Sequence, residues 1–419
     1  MSDWFKFIAF KHNTIFRPVL FKNNPSGAFL NMVAIFRATV FKGGFMKVPL
    51  LDLKAQYASL REETQNLVNE ILESQHFIGG PYVSKLEEEV AKYSGTAEAI
   101  GVSSGTDALI AALMGLGIFR SPLDERPADE VIIPAYTFFA TAGSVWRVGA
   151  RPVFADIDPD TYNIDADKIE EKITPRTKAI IPVHLYGQCA DMKKISAIAR
   201  RHNLAVIEDG AQAIGAEQDG LKVGNFGNCA ALSFFPSKNL GGLGDGGMVV
   251  TNDTNLAKKI REIRNHGMEP KYFHKHVGGN FRLDAVQAAG LLVKLPHLDA
   301  WGKLRAKNAS VYAAAFAGSA VKTPVIKSGN ASIYNQYIIS VPNRDEVLGH
   351  LRSKDVGCEI YYPLSLHEQE CFAPLGYRKG DFPHSEYAAA HTIALPIYPE
   401  LEKAQIEYVA ESVLESVKS

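Results

Sequence analysis

Between residues 97 and 209, short apolar runs alternate with stretches of helical spacing, and nothing else in the chain restricts its fold as strongly. Residues 97–103, 130–133, 151–155, 178–183 and 204–208 read as strands, and 229–235 adds another that Pro236 closes. The stretches 108–116 and 192–202, and the one from 134 through Val148, carry helical patterns between them. Strands alternating with helices predict a mostly parallel central sheet with helices on both faces, an α/β fold. In such sheets ligands sit beyond the carboxyl ends of the strands. Gly105 and Thr106, Phe138, His184, Asp209 and Lys238 all follow strand ends. Polar residues without a shared task would scatter to both edges.

Lys238 stands at the mouth of the strand over 229–235, beside Gly241, Gly242, Gly244, Gly246 and Gly247. Glycine lets backbone approach a flat ring or a phosphate closely. A lysine amine partly removed from water loses its proton more readily and can form a Schiff base with an aldehyde. Pyridoxal phosphate is the common aldehyde cofactor held in that way. The same residues would also suit a surface lysine beside a flexible loop.

Ser104-Gly105-Thr106-Asp107 joins a strand to a helix. Backbone N–H groups at such a helix start make an anion site, so Ser104, Gly105 and Thr106 are candidate phosphate ligands. Simple capping by Ser104 is the competing reading. Asp209 follows Leu204 to Ile207 and Glu208, and a carboxylate at that depth needs a cation or several donors. A pyridinium nitrogen would supply the cation, and a helix cap is the alternative use. Gln212 could reach the hydroxyl side of such a ring, and Phe138 could stack on its face or fill the core.

A formal net charge of -1 offers no field to draw nucleic acid or an anionic membrane. Cys189, Cys229, Cys358 and Cys371 lack metal-ligand spacing, so no metal is expected and a reducing cytoplasm suits the chain. No apolar run reaches the length of a membrane span. Residues 1–45 differ from the rest: Lys6, Lys11, Arg17, Lys22, Arg37 and Lys42 stand against Asp3 alone. They read as an atypical extension or upstream-start artefact, with a basic amphipathic arm and a targeting peptide as alternatives.

Further along, 291–307 reads as one long helix passing between domains, with Pro296 near its start. Residues 334–341 and 359–362 read as strands, 344–355 and 402–416 as helices. The expected division is an extension over 1–45, a large cofactor-binding domain over 46–298 and a smaller α+β domain over 299–419.

The motifs SGTDAL at 104–109, PAYTFFAT at 134–141, VIEDGAQAIGA at 206–216, SFFPSKNLGGLGDGG at 233–247 and GGNFRLDAVQAA at 278–289 resemble the DegT/DnrJ/EryC1/StrS family. Those are sugar aminotransferases that use pyridoxal 5'-phosphate (PLP) on the fold-type I scaffold. The resemblance begins near Met46 and runs to the C-terminus. It implies that Lys238 carries the Schiff base and shuttles protons, Asp209 pairs with the pyridine nitrogen, and Gln212 sits at the phenolic side. Gly105, Thr106 and Ser233 would hold the phosphate and Phe138 would stack on the ring. Asn280 would reach the phosphate of the neighbouring subunit, which implies a homodimer. Arg282 resembles an arginine that binds a substrate carboxylate in some members, and His184, Tyr186 and His367 lie in segments that line the sugar pocket. The implied reaction moves an amine from an amino acid, with glutamate the expected donor, to a keto sugar on a nucleoside diphosphate. Carbon 3 is the candidate position, and amino-sugar, surface-polysaccharide or O-antigen synthesis the setting. Members that dehydrate sugars have histidine in place of the lysine, and Lys238 favours transamination. A dehydratase or lyase of the same fold and a non-catalytic cofactor-binding regulator are the alternatives.

Overall fold

Successive apolar residues along the central strands point to opposite faces, as Ile132 does against Val131 and Ile133, so both faces of the sheet must be covered. The computed structural model describes residues 46–121 and 123–417; the expectations for 1–45 lie outside the described residues. In chain order the strands are β1 (Glu98–Val102), β2 (Glu130–Pro134), β3 (Arg151–Ala155), β4 (Thr177–Ile180), β5 (Ala205–Asp209), β6 (Glu217–Gln218), β7 (Leu221–Lys222), β8 (Cys229–Ser233), β9 (Gly247–Thr251), β10 (Asn330–Ala331), β11 (Tyr337–Ser340) and β12 (Thr392–Leu395). The large sheet runs in the order β1-β9-β8-β5-β4-β2-β3. Neighbours from β8 through to β3 are parallel, and β9 is antiparallel to both β1 and β8.

On one face Val131, Ile133, Ile207, Cys229, Ala231 and Val249 pack with Leu109 and Ala112 of the helix Gly105–Gly115 and with Ile260 of the helix Thr254–Arg264. On the other, Ala230, Leu232, Met248 and Val250 meet Leu86 and Val90 of the helix Pro81–Ser94, while Ile132, Ile180 and Val206 meet Ile195 and Ile198 of the helix Met192–His202. The period of two in the strands and the wide apolar stripes of the helices produce this three-layer packing. Burying a Leu, Ile or Val side chain there contributes roughly 1.5–3 kcal/mol.

A second core gathers Tyr312 and Phe316 with Tyr337, Ile339, Val347, Leu351, Ile393, Val409 and Val413 around the β11–β12 pair. The helix Leu298–Phe316 serves both cores: Leu298 packs with the large sheet, Ala309 to Phe316 with the second core. Val48 also belongs to the second core, and its N–H donates to the Asp355 carbonyl (3.0 Å). The segment starting at Met46 therefore packs with the C-terminal part of the chain, where the division at 298 had put it with the large sheet.

Three local expectations differ from what forms. The strand over 229–235 stops at Ser233, because the chain turns there to bring Lys238 N–H onto the Phe235 carbonyl (2.8 Å). Pro296 splits the helix expected over 291–307 into Ala285–Lys294, a 3-10 turn Leu295–His297 and Leu298–Phe316. Its ring removes one helical N–H and crowds the preceding turn. Of the strand expected over 359–362, only an isolated bridge between Glu359 and Ala394 forms.

Candidate active site

Ser104, at the end of β1, caps the helix Gly105–Gly115 by accepting from the Asp107 N–H (3.0 Å). Its hydroxyl is therefore engaged in capping. The first intrahelical bond runs from Ala108 to Ser104, so the amides of Gly105 and Thr106 lie ahead of it and face outward. A Cβ on Gly105 would stand 2.8 Å from the Ser233 Cβ, so the turn and the end of β8 touch. Gly247, at the start of β9, has its Cα so close to the Ser104 carbonyl that a Cβ would come within 2.3 Å. A Cβ on Gly241 would meet the Pro236 carbonyl at 2.2 Å. Gly241 and Gly247 thus let backbone pack on backbone and fix the turn, while Gly242 and Gly244 lie against the Gln287 side chain.

Asp209 ends β5 and is 4% exposed. Its Oδ2 accepts from the Thr141 hydroxyl (2.8 Å) and its Oδ1 from the Ala211 N–H (3.2 Å). Burial raises its pKa first of all, and the two hydrogen bonds and the charge of Lys238 work against that rise. For Lys238, burial brings the amine down to about 8, and the attraction of Asp209 opposes it. A neutral amine is thus accessible near physiological pH, as nucleophilic attack on an aldehyde requires.

Gln212 is held at both ends of its amide: Oε1 accepts from the Tyr186 N–H (2.7 Å) and Nε2 donates to the Tyr362 hydroxyl (3.1 Å). Nε2 has a second N–H to give. Phe138 leaves 56% of its surface exposed, with its ring 5.9 Å from that of Tyr362. Tyr362 N–H donates to the Tyr136 hydroxyl (2.8 Å), which ties the C-terminal part of the chain to the PAYTFFAT segment. Burial raises the Tyr362 phenol, and the charge of Asp209 adds to the rise.

Gly105, Thr106, Ser233, Phe138, Asp209, Gln212 and Lys238 all lie at the carboxyl edge of the sheet. Three other expected residues have bonding partners inside the protein. His184 is wholly buried: Nδ1 accepts from the Ala190 N–H (3.1 Å), so Nε2 carries the hydrogen and donates to Glu208 (3.1 Å). Tyr186 turns its hydroxyl to Tyr136 (3.3 Å) and to the Tyr361 carbonyl. His367 donates to Glu386 (3.1 Å) with its ring against Phe382. Each of these side chains is engaged in internal bonds, and Tyr186 also lines a small cavity with Tyr162, Tyr334 and Gln336.

Asn280 is exposed, and Arg282 donates to Asn265 Oδ1 (2.9 Å) on the wall of a cavity of about 450 Å³ that Arg261, Arg264 and Met268 also line. Lys238 is not among that cavity's lining residues. Sequence reasoning missed Thr141 and Tyr362, although both stand inside segments it singled out. The hydroxyls of Thr137 and Thr141, four residues apart, were the signal available for the first.

The residues fit PLP. A buried carboxylate, an amine of lowered pKa and a tight turn of outward amides supply what its pyridine nitrogen, aldehyde and phosphate need. Fold and site together define a PLP-dependent aminotransferase of fold type I. A family model for the DegT/DnrJ/EryC1/StrS aminotransferase family matches residues 58–414, and the chain belongs to that family. A pleiotropic regulatory protein of Geobacillus stearothermophilus is 50% identical, covering 88% of this chain and 98% of its own. A UDP-N-acetyl-3-dehydro-alpha-D-glucosamine 3-aminotransferase of Acidithiobacillus ferrooxidans is 45% identical, covering 87% and 96%. The crystal structure of S. venezuelae DesV in complex with a ketimine intermediate superposes with a TM-score of 0.85 at 40% identity, covering 89% of this chain and 99% of that one.

Proposed function

We propose that this aminotransferase moves an amino group from an amino acid, glutamate being the expected donor, to carbon 3 of a keto sugar carried on a nucleoside diphosphate. The Acidithiobacillus enzyme supports both the nucleotide-linked sugar class and carbon 3. The observation that carries the reading is that Lys238 and the buried carboxylate of Asp209 share the carboxyl edge of the sheet, near enough for each charge to bear on the other.

In this reading Lys238 holds the cofactor aldehyde as a Schiff base. With the cofactor bound, Lys238 Nζ would be the group placed to take up and return the substrate Cα proton, as general base and acid. Asp209 accepts the pyridine N–H and keeps it protonated. PLP, when bound, would supply an electron sink there. Gln212 gives its second N–H to the phenolic oxygen. Gly105, Thr106 and Ser233 hold the phosphate, and Phe138 covers one ring face. Asn280 completes the phosphate site of the partner in a homodimer, and Arg282 takes an anionic group of the substrate. The setting is cytoplasmic; among the described residues no helix is long and apolar enough to cross a membrane.

The test has two stages. Glutamate alone should convert the loaded enzyme to its amine form. A panel of nucleotide-linked keto sugars should then return the original colour with at least one 3-keto member. Conversion by glutamate with no response to any keto sugar would contradict the sugar assignment. The regulatory name of the Geobacillus relative motivates a control for the non-catalytic alternative: no conversion by any amino donor would support it.

A further inference from the structure

Thr137, after β2, and Thr141, in the first turn of the helix Ala140–Arg147, bring their hydroxyls together, and the reaction as described leaves both without a task. Thr141 is 0% exposed and Thr137 is 2% exposed. Their Oγ1 atoms are 3.3 Å apart, and Thr141 Oγ1 lies 2.8 Å from Asp209 Oδ2. An ionised carboxylate only accepts, so Thr141 donates to it. That leaves Thr137 as the donor to Thr141, and the direction of the chain is fixed: Thr137 to Thr141 to Asp209. We infer that this pair of buried hydroxyls is a positioning relay that holds the Asp209 carboxylate ionised and aimed for its pyridinium partner.

The relay answers a specific conflict. Burial pushes Asp209 toward the protonated form, in which it could no longer accept the pyridine proton. The Thr141 hydrogen bond is the largest influence in the opposite direction, ahead of the Ala211 amide and the charges of Lys238 and His184. Tyr362, from the C-terminal part of the chain, faces the same carboxylate, and the two are coupled through their charges. Bonds in line polarise one another, so the Thr137 hydroxyl strengthens the one beyond it. Phe138 lies between the two threonines in sequence. One five-residue stretch therefore covers the ring with one side chain and tunes the acid with two.

The inference rests on the PLP reading above, and the experiment separates the two. Thr141→Val, Thr141→Ser and Thr137→Val are made in the full chain, with circular dichroism to check the fold. In the PLP-loaded protein the pH midpoint of the colour change is read. A protonated ring lowers that midpoint, so Thr141→Val should raise it by about one pH unit, the tenfold that a lost hydrogen bond to a charged group is worth. Thr141→Ser should restore the wild-type midpoint, and Thr137→Val should move it in the same direction by less. In the cofactor-free chain, carbonyl NMR of Asp209, assigned with Asp209→Asn, should show a carboxyl midpoint raised by a similar amount in Thr141→Val. Unchanged midpoints in Thr141→Val, or a Thr141→Ser that behaves like valine, would overturn the relay. A wild-type protein that never colours would overturn the PLP reading, while the cofactor-free titration still decides the relay.

Discussion

Gly105 and Ser233 touch across the seam between the first helix turn after β1 and the end of β8, where a single added Cβ would come within 2.8 Å of the serine. The contact joins two phosphate ligands proposed from distant parts of the chain. Gly105→Ala should therefore weaken PLP binding about tenfold or more, the size of one lost charge-assisted hydrogen bond. The double variant Gly105→Ala with Ser233→Gly should relieve the crowding but not recover the serine bond. Fluorescence titration of the cofactor checks both. A Gly105→Ala protein with wild-type affinity would remove the steric argument.

Lys238 gives a stability prediction whose sign follows from its pKa. The unfolded chain keeps this proton up to about 10.5, the folded chain only to about 8. Between those values the unfolded state binds more protons, so the contribution of this group to stability rises with pH. Below pH 8 its cost is fully present; above 10.5 it is gone. Lys238→Met should be more stable than the wild-type apoprotein at pH 7, on the order of 2 kcal/mol after allowance for partial exposure. The advantage should shrink toward pH 10.5 in denaturant titrations. A pH-independent difference would contradict the account.

Glu208 offers a contrast with its neighbour Asp209. Its carboxylate is fully buried and accepts from the N–H groups of Gly224 (3.0 Å), Phe226 (2.9 Å) and Gly227 (2.8 Å) and from His184. Glu208→Gln replaces one acceptor oxygen by an amide NH2, a donor that faces donors. We expect a loss of about 2–4 kcal/mol in unfolding free energy, as for other broken buried networks. Urea denaturation measures it, and a change below half a kcal/mol would show that the site relaxes around glutamine.

His367 separates structural from substrate roles. Since its ring is buried against Phe382 and bonded to Glu386, His367→Ala should lower the melting temperature. The KM for the sugar should stay within about twofold of wild type, because no binding contact with the sugar is lost. A large KM increase in a protein of unchanged stability would return the residue to the substrate pocket.

Much of the sheet was legible because its signals are local. The run at 151–155 and the spacing at 192–202 match Arg151–Ala155 and Met192–His202 to the residue. The placement of Lys238 and Asp209 after strand ends was equally visible in the sequence. What stayed hidden depends on distant partners. His184 and Glu208 are 24 positions apart, Thr141 and Asp209 68, and Gln212 and Tyr362 150. Nothing local distinguishes a histidine that binds a sugar from one that binds a buried glutamate. Likewise a glycine run suggests close approach without saying what approaches, and here it is the Pro236 and Ser104 carbonyls.

The most direct test is to supply the purified chain with PLP, reduce it with borohydride and map the modified peptide by mass spectrometry. The account predicts one phosphopyridoxyl group per chain, on Nζ of Lys238, and none in Lys238→Ala. A colourless protein with no adduct, or an adduct on another lysine that survives in Lys238→Ala, would contradict it.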